Sequence, residues 1–342
     1  MTVTFESRCR RPPLPEARGP VSEGLLAALR RAAVPASASS VNLALDPYGD
    51  DLHLALYVLY ELHYQGFDSV DDDREWDPTL LALRRNLEEY FLGALRADAT
   101  PDMDAASTLD ALLIEPAGHD PHSVSHHLHR DGERWQVREY AALRSLYHLK
   151  EADPHAWVIP RLHGTAKAAM VAVEYDEFGA GRAEDIHASL FADLMRDLSL
   201  DATYGFYLDT APAEALATVN LMSLLGLHRS LRGALVGHFA AVEITSSPGS
   251  RRLAEALRRM KAGPAAQRFY DEHVEADAVH EQVVRREVVG GLLACEPELD
   301  ADVAFGVQAT GLLEDRLAAT LLNAWRDGRS ALRSPLPEPA SL

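Results

Sequence analysis

Residues 269–280 read Phe269-Tyr270-Asp271-Glu272-His273-Val274-Glu275-Ala276-Asp277-Ala278-Val279-His280 and contain the pattern His-x-x-x-Asp-x-x-His. On an α-helix successive residues are about 100° apart, so positions i, i+4 and i+7 fall within roughly 60° of one another. His273, Asp277 and His280 therefore share one helical stripe. Two imidazoles and a carboxylate so placed suit Fe, Mn or Zn, whereas a core-facing helix without such a use would bury three costly polar groups. Asp271, Glu272 and Glu275 make the segment acidic all round, and standing alone it reads equally well as a solvated face. The rest of a coordination shell has to come from elsewhere in the chain.

Outward from this stretch, almost every long segment keeps the helical period and β-branched alternation is scarce. Helices are expected at about 21–33, 50–65, 77–97, 104–115, 135–150, 161–178, 183–197, 211–245, 249–260, 264–294 and 299–327. The tract 116–133, with Pro116, Gly118, Pro121 and Gly132, reads as a loop holding a short helix. The pattern predicts an all-α protein. It is divided into a loose N-terminus (1–20), a helical N-terminal extension (21–133), a helical bundle (134–330) and a flexible tail (331–342).

Composition narrows the function. The 342 residues are 47% hydrophobic and carry a formal net charge of −19, which disfavours nucleic-acid phosphates and anionic lipid as partners. Cys9 and Cys295, the two cysteines, cannot build a disulfide framework or a Cys-rich metal site. No apolar run approaches the length of a membrane span and the N-terminus lacks a signal-peptide core, so a cytoplasmic protein with no membrane partner is expected. No Gly-rich nucleotide loop or haem-attachment motif is present.

Two further segments carry acids in apolar surroundings. Glu177 follows Val171-Ala172-Val173, and His187 lies ten residues later beside Leu190 and Phe191. On a straight helix that spacing is about 80° off face, but Gly179 and Gly181 invite a bend between the two. Glu243 sits between Val242 and Ile244 at the end of the apolar run Leu235–Ala241, where a carboxylate is expensive unless it is paired or coordinates a metal. Glu177, His187, Glu243, His273, Asp277 and His280 thus supply three carboxylates and three imidazoles, an inventory that fits two non-haem irons in a bundle. A ferritin-like plan needs paired Glu-x-x-His, and only one such string, Glu184-Asp185-Ile186-His187, is present. The histidine-rich run His122-Ser123-Val124-Ser125-His126-His127-Leu128-His129 reads as exposed loop rather than a metal site.

These residues resemble the haem-oxygenase-like diiron oxidases and oxygenases, also called iron-containing redox enzymes. The similarity covers roughly 135–294. It is carried by Arg138-Glu139-Tyr140, Arg144-Ser145-Leu146-Tyr147, Lys150-Glu151-Ala152-Asp153-Pro154-His155, Ile159-Pro160-Arg161-Leu162, Asp176-Glu177-Phe178-Gly179 with His187, Val219-Asn220-Leu221-Met222, Glu243, and the final His273-x-x-x-Asp277-x-x-His280. The resemblance implies a haem-oxygenase-like bundle whose first core helix gives Glu177 and His187, the second Glu243, and the third His273, Asp277 and His280. It also implies two Fe(II)/Fe(III) ions as cofactor and O2 as co-substrate. Some relatives use an additional carboxylate, for which Glu174 and Glu61 are the choices in this chain.

The expected activity is O2-dependent oxidation of a small amine or amino acid, by N-oxygenation, desaturation or oxidative C–C cleavage. Electrons come from an external donor or from the substrate, and a homodimer is compatible with the chain. Arg138, Arg144 and Arg161 are candidates for a substrate carboxylate, since arginine grips carboxylates with two parallel hydrogen bonds. The alternatives are a diiron fatty-acid oxidase or decarboxylase of the same fold and, from another class, a non-catalytic iron-binding or helical interaction protein. A haem-degrading relative would not need three convergent carboxylates, and a hydrolase of the fold would need a cysteine nucleophile.

Overall fold

The computed structural model describes residues 11–31, 45–99, 103–114, 116 and 118–336, without the side chains of residues 275, 277 and 278. Among these residues every regular element is helical. The N-terminal part holds α1 (Pro20–Leu29), α2 (Asp50–Glu61), α3 (Pro78–Asp98), α4 (Ala105–Leu112) and α5 (Val124–Arg130). The rest comprises α6 (Arg134–His148), α7 (Asp153–Ala156), α8 (Gly164–Glu177), α9 (His187–Asp197), α10 (Ala213–Leu227), α11 (Arg232–Arg259), α12 (Pro264–Val283), α13 (Gly290–Cys295) and α14 (Asp300–Arg326). One hydrophobic core runs from Val21 to Trp325 and includes helices from both parts.

α10 is buried on all sides, from Ala213 to Gly226 except Glu214, as its almost uniformly apolar sequence requires. α11 packs along both α12 and α14. Its contact with α14 depends on two glycines: a Cβ on Gly237 would come within 2.0 Å of Val303 O, and one on Gly306 within 1.9 Å of Ala234 O. Only hydrogen side chains let the two backbones approach this closely.

Three local features differ from the sequence pattern. The helix expected over 211–245 is interrupted at His228–Leu231, where His228 is extended and residues 229–231 form a 3-10 turn. Arg161 terminates α10 there by donating to the carbonyls of Gly226 and of Leu227 (2.9 Å). The expected break before residue 249 does not occur, because α11 runs through Pro248. Burial of the flanking turns outweighs the hydrogen bond that proline removes. Over 264–294 the helix contains a π-helical turn, Val284–Val289.

Residues 11–19, assigned from composition to a loose terminus, lie extended against the bundle: Asp68 N donates to Pro12 O (2.8 Å) and Arg18 donates to Leu208 O (2.7 Å). At the other end Arg333 N donates to Thr210 O (2.9 Å). The histidine-rich run is no exposed loop. Ser123 caps α5 through His126 N, Leu128 is fully buried, and His127 stacks on Trp325 with ring centroids 5.6 Å apart. No helix of the described residues is long and apolar enough to cross a membrane.

Candidate metal centre

Five segments deliver buried acids and imidazoles to one place: α8, α9, α11, α12 and the turn between α6 and α7. Glu177 is the last residue of α8. The chain then turns through Gly179 (φ +71°), Ala180 (φ 51°) and Gly181 (φ +83°) before α9 begins at His187. This is the bend that the glycines foreshadow, and a Cβ on Gly179 would meet Ile186 N at 2.6 Å. It brings His187 Nδ1 to 2.6 Å from Glu177 Oε2. On α12, His273 and His280 are both buried. Asp197, at the end of α9, fixes the start of that helix by accepting from Ala265 N (2.8 Å) and Ala266 N (3.1 Å).

Two groups of residues could hold metal ions. Glu151, Glu177, His187 and His273 form one, and Glu177, Glu243 and His280 the other; within each, one ligand atom per residue lies within 4.8 Å of all the rest. Glu177 belongs to both. His273 Nδ1 donates to Phe269 O at 2.7 Å, which leaves the Nε2 lone pair for the cluster, 3.7 Å from Glu151 Oε1. His280 Nδ1 lies 3.1 Å from Glu243 Oε2 and 3.7 Å from Glu177 Oε1, while its Nε2 meets Asp176 at 3.3 Å. His148 Nδ1 stands 3.0 Å from Glu151 Oε2. His273 is thus oriented by a backbone carbonyl and His280 by carboxylates, the usual support of a metal-ligating histidine, whereas His187 Nδ1 and His148 Nδ1 are close to carboxylates without hydrogen-bond geometry.

The electrostatics are those of acids and imidazoles sharing protons in a dry site. Burial opposes charge on His280, but Glu243 and Glu177 overcome it and raise the ring to about 9. His187 is raised for the same reason, burial being outweighed by Glu177. Burial and then Glu177 push Glu243 up, although His280 pulls the other way. Burial also acts on Glu151, yet His148 and His273 hold it well below the ordinary carboxylate range. Glu174 is 2% exposed, neither of its oxygens has a hydrogen-bond partner among the described residues, and burial with Glu177 and Glu243 raises it to about 9. A divalent cation replaces such shared protons naturally, and the mixed carboxylate–imidazole donors suit iron.

Of the residues singled out from sequence, Glu177, His187, Glu243, His273 and His280 come together. Asp277 lies on α12 between the two histidines, with its side chain outside the described residues. Glu174 borders the cluster without joining either group. Glu61 is elsewhere: it pairs with Lys150 Nζ (2.8 Å) and accepts from Tyr204 Oη (2.9 Å to each oxygen). Arg144 forks onto Glu314, its Nη1 at 2.8 Å. Arg138 donates to Ser199 O (3.2 Å), and Arg161 caps α10. Sequence reading missed Glu151. It lies on the turn between α6 and α7, next to Ala152, whose φ of 77° is a left-handed conformation rare for a residue with a Cβ. Strain of this kind collects at functional sites. The string Lys150–His155 held it in view, but nothing local tells which of its charged residues turns inward.

A cavity of about 450 Å3 opens onto the cluster at Glu151, Glu177, Glu243 and His273, and extends to the exposed His122 and to Arg252. Leu221, Met222, Phe239 and Leu317 are among its apolar walls. The size is that of a small-molecule site. No curated protein matches the chain. The family model for iron-containing redox enzymes matches residues 138–315 and so takes in every member of both carboxylate–imidazole groups. With just over half of its length inside that match, this all-α chain belongs to the haem-oxygenase-like family of iron-containing redox enzymes.

Proposed function

We propose that the chain is a non-haem diiron enzyme that uses O2 to oxidise a small amine or amino acid. The observation that carries this reading is the position of Glu177 in both ligand groups. A carboxylate shared by two adjoining sites is what a pair of metal ions requires, and a single ion would leave Glu243 and His280, or Glu151 and His187, without a purpose for their burial. Glu151, His187 and His273 would hold one iron and Glu243 and His280 the other, with Glu177 between them. Asp277 would join the set on the strength of its sequence spacing from His273 and His280. The irons, when bound, supply O2 activation; electrons come from an external donor or the substrate.

The protein's own groups do the rest. His148, Asp176 and the Phe269 carbonyl orient ligands, the apolar cavity walls exclude water, and Glu174, held protonated, can hand a proton to the site from its border. The reaction at the substrate is N-oxygenation, desaturation or C–C cleavage. A fatty-acid oxidase is the second reading, favoured by the walls at Leu221, Phe239 and Leu317.

Anaerobic Fe(II) loading followed by metal analysis tests the centre. About two irons per chain are expected, with Mössbauer spectra of coupled ions. Glu177→Gln should reduce the content to one or none. His273→Ala, Asp277→Ala and His280→Ala should lose iron and O2-dependent turnover while keeping helical circular dichroism. One metal or none in the loaded wild type rules the diiron reading out.

A further inference from the structure

The cavity holds two histidines that the proposed metal centre does not use. His155 on α7 and His238 on α11 both border it, and are 2% and 1% exposed. Their ring centroids are 5.2 Å apart. Neither Nε2 has a hydrogen-bond partner among the described residues. An unsatisfied buried polar atom costs about 1–3 kcal/mol, and two such atoms in adjacent side chains that line one cavity mark a place that a bound molecule completes.

The neighbours of His238 fix where its proton sits. Thr310 gives its single hydroxyl proton to Gly306 O at 2.7 Å, so its oxygen accepts from His238 Nδ1 at 2.8 Å. Nδ1 is therefore the protonated nitrogen and Nε2 carries a lone pair. Burial holds His238 down to about 4, and burial together with His238 holds His155 to about 3, so both rings are neutral. A lone pair in this position takes a hydrogen-bond donor. A carboxylate has no proton to offer it, and the two guanidiniums on the cavity wall are engaged elsewhere, Arg144 forked onto Glu314 and Arg252 donating to Ser125 Oγ at 2.9 Å. A hydrocarbon chain would leave both nitrogens unpaired.

We propose that His155 and His238 form the polar subsite that seats an N–H group of the substrate, selecting an amine-bearing molecule over a fatty acid. The inference rests on the cavity being the substrate chamber of the proposed enzyme, and it sharpens the choice between the two substrate classes.

The test uses the iron-free full-length chain, with n-pentylamine and pentanoate as probes in titration calorimetry. Pentylamine should bind and pentanoate should not. His238→Phe should weaken pentylamine binding by about tenfold or more, the loss of one buried hydrogen bond. His238→Gln, which puts an amide oxygen near the place of Nε2, should restore it to within about threefold. In the wild type the 15N signal of His238 Nε2 should move on adding pentylamine and stay put on adding pentanoate, a readout that needs no variant to fold. Pentanoate binding as tightly as the amine, an unshifted Nε2 signal, undiminished binding by His238→Phe, or no amine binding at all overturns the proposal. Iron loading of the same variants is measured separately. Amine binding at His238 in a chain that takes up no iron would remove the diiron reading and leave the subsite standing.

Discussion

Lys150 and Glu151 are adjacent in sequence, both are buried, and they belong to two opposite kinds of polar interior. Lys150 Nζ meets Glu61 at 2.8 Å, with the Tyr57 and Tyr64 rings 4.8 and 4.6 Å from it and Tyr204 donating to the carboxylate. That pair contains its own cation and is complete. Glu151 turns instead towards His148 and His273, in a region where Glu177 and Glu243 also meet imidazoles. Imidazoles give up protons in the physiological range, so these acids are compensated in a way that a metal can take over. Buried carboxylates by themselves therefore say little; the identity of the compensating cation separates structural acid from metal-ready acid.

The comparison can be broken most forcefully at Glu61. Glu61→Gln strands Lys150 as a buried uncompensated charge and should cost about 3–5 kcal/mol, read by urea denaturation of the iron-free chain, with iron uptake by the refolded protein unchanged. A loss below about 1 kcal/mol would mean the pair is solvated and the contrast false.

Glu174 sharpens the other side. Its folded-state value of about 9 lies above the ordinary carboxyl value of 4.5, so the folded chain holds a proton that the unfolded chain releases. The resulting stability is present below pH 4.5 and lost as pH rises towards 9. Glu174→Gln should therefore gain on the wild type as pH rises from 5 to 9, by at most about 1.4 kcal/mol per pH unit. Parallel stability curves for the two iron-free proteins would show that Glu174 is not held protonated.

The smallest effect belongs to the histidine-rich run. His127→Ala loses a stack on Trp325 and should cost about 1 kcal/mol, and His126→Ala less, with iron content untouched in both. Iron loss in either variant would move the centre to α5.

The helical register of α12 was legible from spacing alone, because His273 and His280 are local in sequence and share a face on any helix. The bend between Glu177 and His187 was legible because glycines announce it. Glu151 was not, since a turn residue 26 positions before Glu177 becomes a neighbour only when the bundle closes, with α6 packed on α9 and α10. For the same reason Glu61 could not be separated from the ligand candidates: its counter-ion lies 89 residues away. The helix break at His228 was hidden because Arg161, which caps it, is supplied from a distant turn. Pro248 misled in the opposite sense, as burial carried α11 through it.

The glycine contact between α11 and α14 has a mechanical side. Both helices begin near Gly237 and Gly306 and then line the cavity, and their far ends meet the 121–132 segment through Arg252 to Ser125 and Arg326 to Pro121. The contact is a fulcrum with an arm of about 22 Å on α11, fifteen residues from Gly237 to Arg252, and one of about 30 Å on α14, twenty residues from Gly306 to Arg326, at about 1.5 Å per residue. A methyl group inserted there acts as a shim, and its leverage grows along α11 past Glu243 towards the cavity mouth. The width of the cavity mouth can therefore be tuned from a point that does not itself line the cavity.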